Sequence, residues 1–197
     1  MSVDIHRATT ERVPDLAAVL GRSFVDDPMI AWPIGPDQLD LAISMFRFFN
    51  ESYVGRGWLW EAGSGEGVAA WLPPGYEGEM MDVDRAVRPL LGENAARQGE
   101  FWEWIAENFP SEPFWYLDFI AVDAERRGSG VGTALIEHGL AFARRDRVPA
   151  FLETGRPGNV PYYERRGFRI YLDEDAPNGG PHIWFMRYDP RPSEPES

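Results

Sequence analysis

The chain has 197 residues with 32 acidic and 19 basic side chains, which give a formal net charge of −13. Such a charge repels nucleic acid and anionic membranes and attracts a cationic amine, although it serves solubility equally well. The chain has no cysteine and all of its basic residues are arginine, which excludes disulfides, thiolate metal sites, cysteine nucleophiles and Schiff-base lysines.

No basic or apolar region of a signal peptide precedes the first predicted strand, and no apolar run is long enough to span a membrane. We therefore expect a cytoplasmic protein with no membrane or nucleic-acid partner. The length suits one domain over residues 1–188, followed by a disordered tail over residues 189–197.

The N-terminal half predicts a layer of helices beside a hairpin. In chain order, we expect a strand over residues 3–8, a helix to Phe24 capped by Thr10, and a loop over residues 25–36. A second helix is predicted over residues 37–54, and its apolar side holds Leu39, Ile43, Phe46 and Met45 or Phe49. A hairpin of strands 57–61 and 68–72 follows. Residues 80–91 and 93–109 are predicted to be helical and lie in an apparent insertion over residues 78–109.

A glycine-rich turn between a strand and a helix is the most informative feature. Phe114–Val122 predicts a buried strand, and a helix begins at Thr133 after Arg127-Gly128-Ser129-Gly130-Val131-Gly132. Backbone amides at a helix N-terminus favour an anion, so this turn predicts a phosphate site. Thr133 stands where a dinucleotide fingerprint needs its third glycine, and a P-loop needs a lysine. The alternative is a turn that only lets strand and helix pack closely.

A second motif follows along the chain. Residues 151–154 predict a strand, residues 155–158 a loop, and N-V-P-Y-Y-E-R-R-G-F a short helix that opens at Asn159 and ends at Gly167. Proline in the first turn and glycine just past the end are typical of such a helix. Strands over residues 169–172 and 183–188, with a loop over residues 173–181, complete the predicted domain.

The two motifs resemble motifs A and B of the GCN5-related N-acetyltransferases (GNAT). Arg127, Gly130 and Gly132 match R-x-x-G-x-G, and Tyr163 matches the tyrosine four residues before Gly167. FLETGRPGNVPYYERRGF and GGPHIWFMRY further resemble the puromycin N-acetyltransferase branch. The resemblance implies an α/β (α+β) fold with a mixed, mostly antiparallel sheet of six to seven strands, helices on both faces, and fourth and fifth strands that splay apart.

The resemblance also implies the cosubstrate acetyl-CoA, held in the gap between the splayed strands, and no metal. The backbone of the fourth strand would pair with the pantetheine arm, the turn amides would hold the pyrophosphate, and Asn159 would contact the arm. The implied cofactor-binding residues are Ile120, Ala121, Val122, Arg127, Gly128, Ser129, Gly130, Val131, Gly132, Thr133, Asn159 and Tyr162.

The implied reaction is transfer of the acetyl group to the amine of a small molecule, antibiotic-like amines among them. Tyr163 would protonate the leaving thiolate as general acid. For the base, Glu153 at the end of the fifth strand comes first, Asp118 inside the fourth strand second, and His182 third; a water chain is the alternative.

Other interpretations remain beside this one. A non-catalytic CoA-binding or sensing module would share the fold, and a longer acyl group would share the chemistry. The insertion, with its aromatic residues Phe101, Trp102 and Trp104, forms either a wall of the acceptor pocket or a surface for self-association, and such a cluster is more typical of a core. We expect a monomer or a homodimer.

Overall fold

A computed structural model describes residues 3–76 and 85–190. The described part contains one seven-stranded sheet in the order β1-β2-β3-β4-β5-β7-β6, in which only β4 and β5 run parallel. The strands are β1 Ile5–Arg7, β2 Leu59–Ala62, β3 Gly67–Leu72, β4 Trp115–Val122, β5 Ala150–Thr154, β6 Phe168–Asp175 and β7 His182–Tyr188. The predicted fold class, a mixed and mostly antiparallel sheet, is confirmed.

Helices cover both faces of this sheet. They are α1 Val13–Phe24, α2 Pro28–Ile34, α3 Leu39–Arg56, α4 over residues 85–91, α5 Ala95–Glu107, α6 Val131–Asp146 and α7 Val160–Glu164. One core joins α1 and α3 to residues of β3, β4 and β5, and a second joins α6 and α7 to the opposite face. Apolar side chains alternate across the strands, so both layers find a partner.

Two predictions in the N-terminal segment are wrong. Thr10 does not cap α1: a 3-10 turn over Thr10–Arg12 precedes the helix, and Arg12 stands at the N-cap. The predicted loop over residues 25–36 contains α2, because the Asp27 carboxylate accepts a hydrogen bond from the Met29 amide at 3.0 Å and Pro28 occupies the first helical position. An aspartate cap followed by proline starts a helix, and Pro33 lies near its end.

Helix α3 begins at Leu39, two residues later than predicted. Met45, Phe46 and Phe49 are buried as expected, but Leu39 keeps 38% of its surface exposed and is not part of the apolar side. Leu39 is the first residue of the helix, so it lies at the end of the layer rather than above the sheet.

The insertion is helical where the structure describes it. Residues 80–84 of the first predicted helix lie outside the described residues, residues 85–91 form α4, and α5 follows a 3-10 turn. Helix α5 packs on α2, and Phe101 is buried against Trp32 with ring centroids 5.7 Å apart. A further ring contact joins Trp104 to Phe185 on β7.

The sixth strand is longer than predicted. It runs over Phe168–Asp175 and pairs with β7 along this length, from Phe168 opposite Tyr188 to Asp175 opposite His182. The predicted loop over residues 173–181 is therefore reduced to residues 176–181. Polar residues at 173–175 misled the prediction, since an edge strand with exposed side chains can be charged. The proposed tail lies outside the described residues from residue 191 onward.

A β-bulge interrupts the pairing of β3 with β4. Ala70 lies opposite Phe119 and Trp71 lies opposite Leu117, which leaves Asp118 as the extra residue. The bulge resets the alternation of β4, so Tyr116, Phe119 and Ala121 belong to the core beneath α1 and α3. A bulge of this kind re-aims side chains near functional sites.

Helix α6 lies directly on β3. The Trp71 indole donates a hydrogen bond to the Leu135 carbonyl at 3.2 Å, and a Cβ atom added at Gly139 would meet the indole ring at 1.9 Å. Glycine at position 139 is therefore required for this close approach, which fixes the height of α6 above the sheet.

We predict that Gly139→Ala destabilises the fold. The added methyl group overpacks the contact with Trp71, and the expected cost is about 3 kcal/mol, measured as the free energy of unfolding in urea. The matched control is Gly55→Ala within α3, where an added Cβ meets no atom within 4 Å and helix propensity should increase stability by up to about 1 kcal/mol. Equal effects of the two substitutions would contradict the packing argument.

Candidate active site

The site begins where β4 and β5 part. These strands pair at Trp115–Ala150 and Tyr116–Phe151 and at no later residue. The rest of β5, Leu152–Thr154, stays paired with β7 on its other edge only. On its other edge, β4 stays paired with β3 as far as Val122. The backbone of Ile120–Val122 therefore has a strand on one side and a gap on the other.

A cavity of about 650 Å³ occupies this gap. Each layer of the fold contributes to its wall, and the lining includes residues of the α1–α2 segment, α3, α5, β4, β5 and α7. Among the lining residues are the predicted site residues Asp118, Ile120, Ala121, Val122, Arg127, Glu153, Asn159 and Tyr163. The sequence motifs, far apart in the chain, thus meet in one cavity of a size typical of small-molecule sites.

The glycine-rich turn opens α6 as predicted. Gly130 stands at the N-cap with φ 92°, a conformation that favours glycine, and no side chain caps the helix. The first amides of a helix have no intrahelical acceptor, so those of residues 130–133 stay open to a ligand. These residues do not line the cavity, but Arg127 just before them does, and its side chain forms no ion pair with a described residue.

Glu153 is a buried carboxyl group with one occupied oxygen. Its Oε1 accepts a hydrogen bond from the Tyr116 hydroxyl at 2.7 Å, and its buried Oε2 has no partner among the described residues. Burial raises the pKa of Glu153 well above its usual range, and the charge of Asp118 adds to the rise, while the hydrogen bond from Tyr116 opposes it. A carboxyl group with a raised pKa holds a proton more strongly than an exposed one, which strengthens it as a general base.

Asp118 faces the same cavity rather than bulk solvent. The bulge turns this residue inward from β4, and its Oδ2 accepts a hydrogen bond from the Tyr53 hydroxyl at 2.8 Å. Tyr53 belongs to α3 and is fully buried. The second predicted base is therefore tied to the helical layer, whereas Glu153 keeps an oxygen available, which favours Glu153 as the group that exchanges protons.

Tyr163 presents its ring to the cavity from α7. It packs against Phe168 and Tyr162, and its hydroxyl has no hydrogen-bond partner in the described part of the chain. Burial raises the pKa of Tyr163, as do the neighbouring Tyr162, Asp27 and Glu153. The hydroxyl stays protonated at neutral pH, which is the state that a general acid needs.

Two other predicted residues lie outside the cavity. The Tyr162 ring stacks beneath the guanidinium of Arg166, and its hydroxyl lies so close to Gly132 that a Cβ there would meet it at 2.6 Å. His182 pairs with Asp175 at 2.8 Å on the β6–β7 hairpin, so the structure does not bring it to the site. Asn159 does line the cavity, and its amide donates to the Thr154 hydroxyl at 3.0 Å.

An ion pair that sequence analysis missed joins two parts of the cavity wall. Arg156, in the loop after β5, donates from Nε to Oδ2 of Asp27 at 2.8 Å, and Asp27 is only 5% exposed. The other oxygen of Asp27 caps α2. The acidic pair Asp26-Asp27 before Pro28 was the available signal, but nothing in the sequence identified an arginine 129 residues later as its partner.

Tyr116 is the second functional candidate that sequence analysis missed. It is the last residue of β4 that pairs with β5, donates to Glu153 and stacks on Tyr76 with ring centroids 5.3 Å apart. Burial and the nearby Glu153 raise its pKa, so the hydroxyl remains a donor. A tyrosine within an apolar strand gives no functional signal before its partner is known.

The described residues include no group of three or more metal-ligating side chains. Likewise, no helix in the described ranges has the length and apolar character needed to cross a membrane.

Comparison with known proteins gives a consistent result. The model of the acetyltransferase (GNAT) family matches residues 56–168, a range that contains both motifs. An uncharacterised N-acetyltransferase of Schizosaccharomyces pombe is 27% identical over 180 residues, which are 81% of this chain and 73% of that protein.

Solved structures share the fold over nearly the whole chain. One described as histone acetyltransferase HPA2 and related acetyltransferase from Corynebacterium glutamicum is 27% identical, with a TM-score of 0.70 over 98% of this chain and 100% of that one. Arylalkylamine N-acetyltransferase 2 of Aedes aegypti, 13% identical, has a TM-score of 0.63 over 97% and 100% of the two chains. The NatC complex bound to Gag peptide and CoA, 11% identical, has a TM-score of 0.55 over 97% and 100%.

We predict that Glu153→Gln gains stability over the native chain as pH rises. Because the pKa of Glu153 is higher in the folded protein than its ordinary value of 4.5, the neutral carboxyl group contributes its full stability below pH 4.5. This contribution is lost as pH rises from 4.5 through the raised pKa and the buried group ionises. Between these two pKa values, the free energy of unfolding of Glu153→Gln minus that of the native chain should grow by up to about 1.4 kcal/mol per pH unit.

Denaturant titrations between pH 4 and pH 9 measure this difference. Glu51→Gln on the exposed part of α3 corrects for removal of one negative charge from an acidic chain. A gap between Glu153→Gln and the native chain that stays constant over this range would contradict the burial of an ionisable Glu153.

Proposed function

Because the chain belongs to the acetyltransferase (GNAT) family, we propose that it transfers an acetyl group from acetyl-CoA to the amine of a small molecule by direct attack. Direct transfer is favoured because the chain has no cysteine to form an acyl-enzyme. The resemblance of the second motif to the puromycin N-acetyltransferase branch puts puromycin among the first acceptors to test.

The residues around the gap fit acetyl-CoA, which supplies an acetyl group activated as a thioester. The uncapped N-terminus of α6 and Arg127 would hold its pyrophosphate. The free edge of Ile120–Val122 offers backbone donors and acceptors to the pantetheine arm, and a backbone amide near Val122 would polarise the thioester carbonyl. Asn159 lies on the same wall.

Glu153 is the proposed base. An ammonium group must lose a proton before its nitrogen can attack, and the unpartnered Oε2 of Glu153 is the acceptor that this cavity offers. The raised pKa of Glu153 brings its proton affinity closer to that of an amine. Asp118, on the same wall, would add to the negative potential that attracts the cation.

Tyr163 is the proposed acid. As the new N–C bond forms and the C–S bond breaks, the Tyr163 hydroxyl gives its proton to the departing sulfur. The attacking nitrogen loses its second proton to become an amide, the tyrosinate takes up one proton in its place, and the proton held by Glu153 passes to solvent. Its hydroxyl is not held by another described side chain, so it can turn toward the sulfur. The observation that supports this assignment most is that Tyr163 and Glu153, whose buried Oε2 has no described partner, line one cavity beside the parted strands.

We predict that Tyr163→Phe slows turnover while acetyl-CoA binding stays intact. Loss of a general acid should lower kcat about 100-fold or more, measured as thiol released from acetyl-CoA in the presence of an acceptor amine. Calorimetric titration with CoA should give an unchanged dissociation constant, because Tyr163 contributes only its hydroxyl to the reaction.

Tyr171→Phe is the control, since Tyr171 lies on β6 away from the cavity and is 48% exposed. If both variants keep native turnover, Tyr163 is not the acid. If the native protein binds CoA but releases no thiol with any amine, the chain is a binding module of this fold rather than an enzyme.

We predict that Tyr116→Phe moves the acid limb of the pH–rate profile to higher pH. The hydrogen bond from Tyr116 lowers the pKa of Glu153 against the effect of burial, so its removal raises that pKa and the base ionises later. The measurement is kcat/KM against pH from 5 to 9, with Tyr171→Phe again as control. An unmoved acid limb would show that Glu153 does not control the rate.

A further inference from the structure

One part of the cavity wall is built from aromatic rings that connect to the Glu153 carboxyl group through Tyr116. Tyr116 donates to Glu153 and contacts three further lining rings, with centroid distances of 5.3 Å to Tyr76, 5.0 Å to Phe109 and 6.4 Å to Phe114. Trp102 of α5 lines the same cavity. We call these five rings the aromatic pocket: Tyr76, Trp102, Phe109, Phe114 and Tyr116.

The insertion supplies part of this pocket. Trp102 lies on α5 and Phe109 follows its end, and both are partly buried. Helix α5 is fixed on its far side, where Phe101 contacts Trp32 and Trp104 contacts Phe185. Phe101 and Trp104 of this helix therefore pack in the protein, whereas Trp102 lines the cavity. This division explains why the insertion contains a cluster of aromatic residues.

Two carboxyl groups on the wall remain to attract a cation. Arg156 neutralises Asp27, whereas Asp118 accepts from the Tyr53 hydroxyl and Oε2 of Glu153 is buried and has no described partner. A protonated amine is therefore drawn to this part of the wall, and the body that carries it lies against the rings of the aromatic pocket. Hydroxyl groups, or a second ammonium group placed among those rings, would lose water there without a partner.

We propose that the acceptor is a primary amine with a single positive charge on an aromatic or similarly apolar body. This inference rests on the proposed acetyl transfer and names the substrate class of that site. The rings bury the apolar body and prefer a flat partner, and Glu153 receives the amine proton. Polyamines and amino sugars fit the same reaction but not this pocket.

A thiol-release assay with acetyl-CoA tests the proposal on a panel of amines. Phenylethylamine, tryptamine and puromycin represent aromatic acceptors, spermidine a polycation, glucosamine an amino sugar and a lysine-containing peptide a polypeptide acceptor. We expect kcat/KM for phenylethylamine or tryptamine to exceed that for spermidine and glucosamine by about 100-fold. A preference for spermidine, glucosamine or the peptide would overturn the proposal and leave acetyl transfer intact.

Substitutions in the pocket separate its role from general stability. Phe109→Ala should raise KM for the aromatic amine about tenfold through lost contact area, with KM for acetyl-CoA unchanged. Leu90→Ala is the control within the insertion, because Leu90 is exposed and does not line the cavity. Trp102→Glu, at a partly exposed ring, adds a carboxylate among the rings of the aromatic pocket and should shift the preference toward spermidine.

Binding measurements keep the two proposals distinct if no amine is acetylated. Calorimetric titration of the CoA-bound protein should still show that tryptamine binds more tightly than spermidine. Absence of tryptamine binding would overturn the inference about the acceptor, whereas tryptamine binding without thiol release would overturn only the proposed catalysis.

Discussion

The site depends on the early parting of two parallel strands. Pairing of β4 with β5 ends at Tyr116–Phe151, and beyond it each strand stays paired only on its outer edge, β5 with β7 and β4 with β3. Parallel neighbours that separate leave one edge of β4 without a strand, and buried backbone groups need partners. The gap is thus a polar edge within an apolar interior, suited to an extended ligand arm, and the cavity with both carboxyl groups opens beside it.

Around the gap, the close apolar packing that stabilises the fold competes with the buried carboxyl group that the proposed reaction needs. Glu153 is buried in a wall that is otherwise rich in aromatic rings, yet it retains a carboxyl group with one oxygen that has no described partner. Tyr116 donates a hydrogen bond to the other oxygen, which lowers the free-energy cost of burying the carboxyl group. The rest of the fold compensates through close packing, as in the contact of α6 with the Trp71 ring at Gly139. Stability therefore comes from the close packing of helices such as α6 on the sheet, and the proposed reactivity comes from the residues around the gap.

The sequence alone predicts where the two motifs lie, but not which distant residues contact the side chains of the site. The strand–turn–helix at Phe114–Thr133 and the short helix before Gly167 follow from local signals, namely glycine, proline and apolar runs. The structure confirms both elements, although α6 begins at Val131 rather than Thr133 and α7 at Val160 rather than Asn159. Helix α2 was missed because its aspartate–proline start was taken for a loop signal. The pairs Arg156–Asp27 and Tyr116–Glu153 were beyond reach, because contacts between distant residues are set by the assembled sheet and not by local sequence.

The bulge at Asp118 adds a residue to β4 without exchanging the two faces of the strand. Tyr116 and Phe119 belong to the core under α1 and α3, while Leu117 and Ile120 pack toward α6. If Asp118 were deleted, Phe119 would follow Leu117 directly and simple alternation would keep both residues on their present faces. A homologous chain that is one residue shorter here would therefore retain both cores and lose only the carboxylate, so a gap at this position would mark an altered site rather than an altered fold.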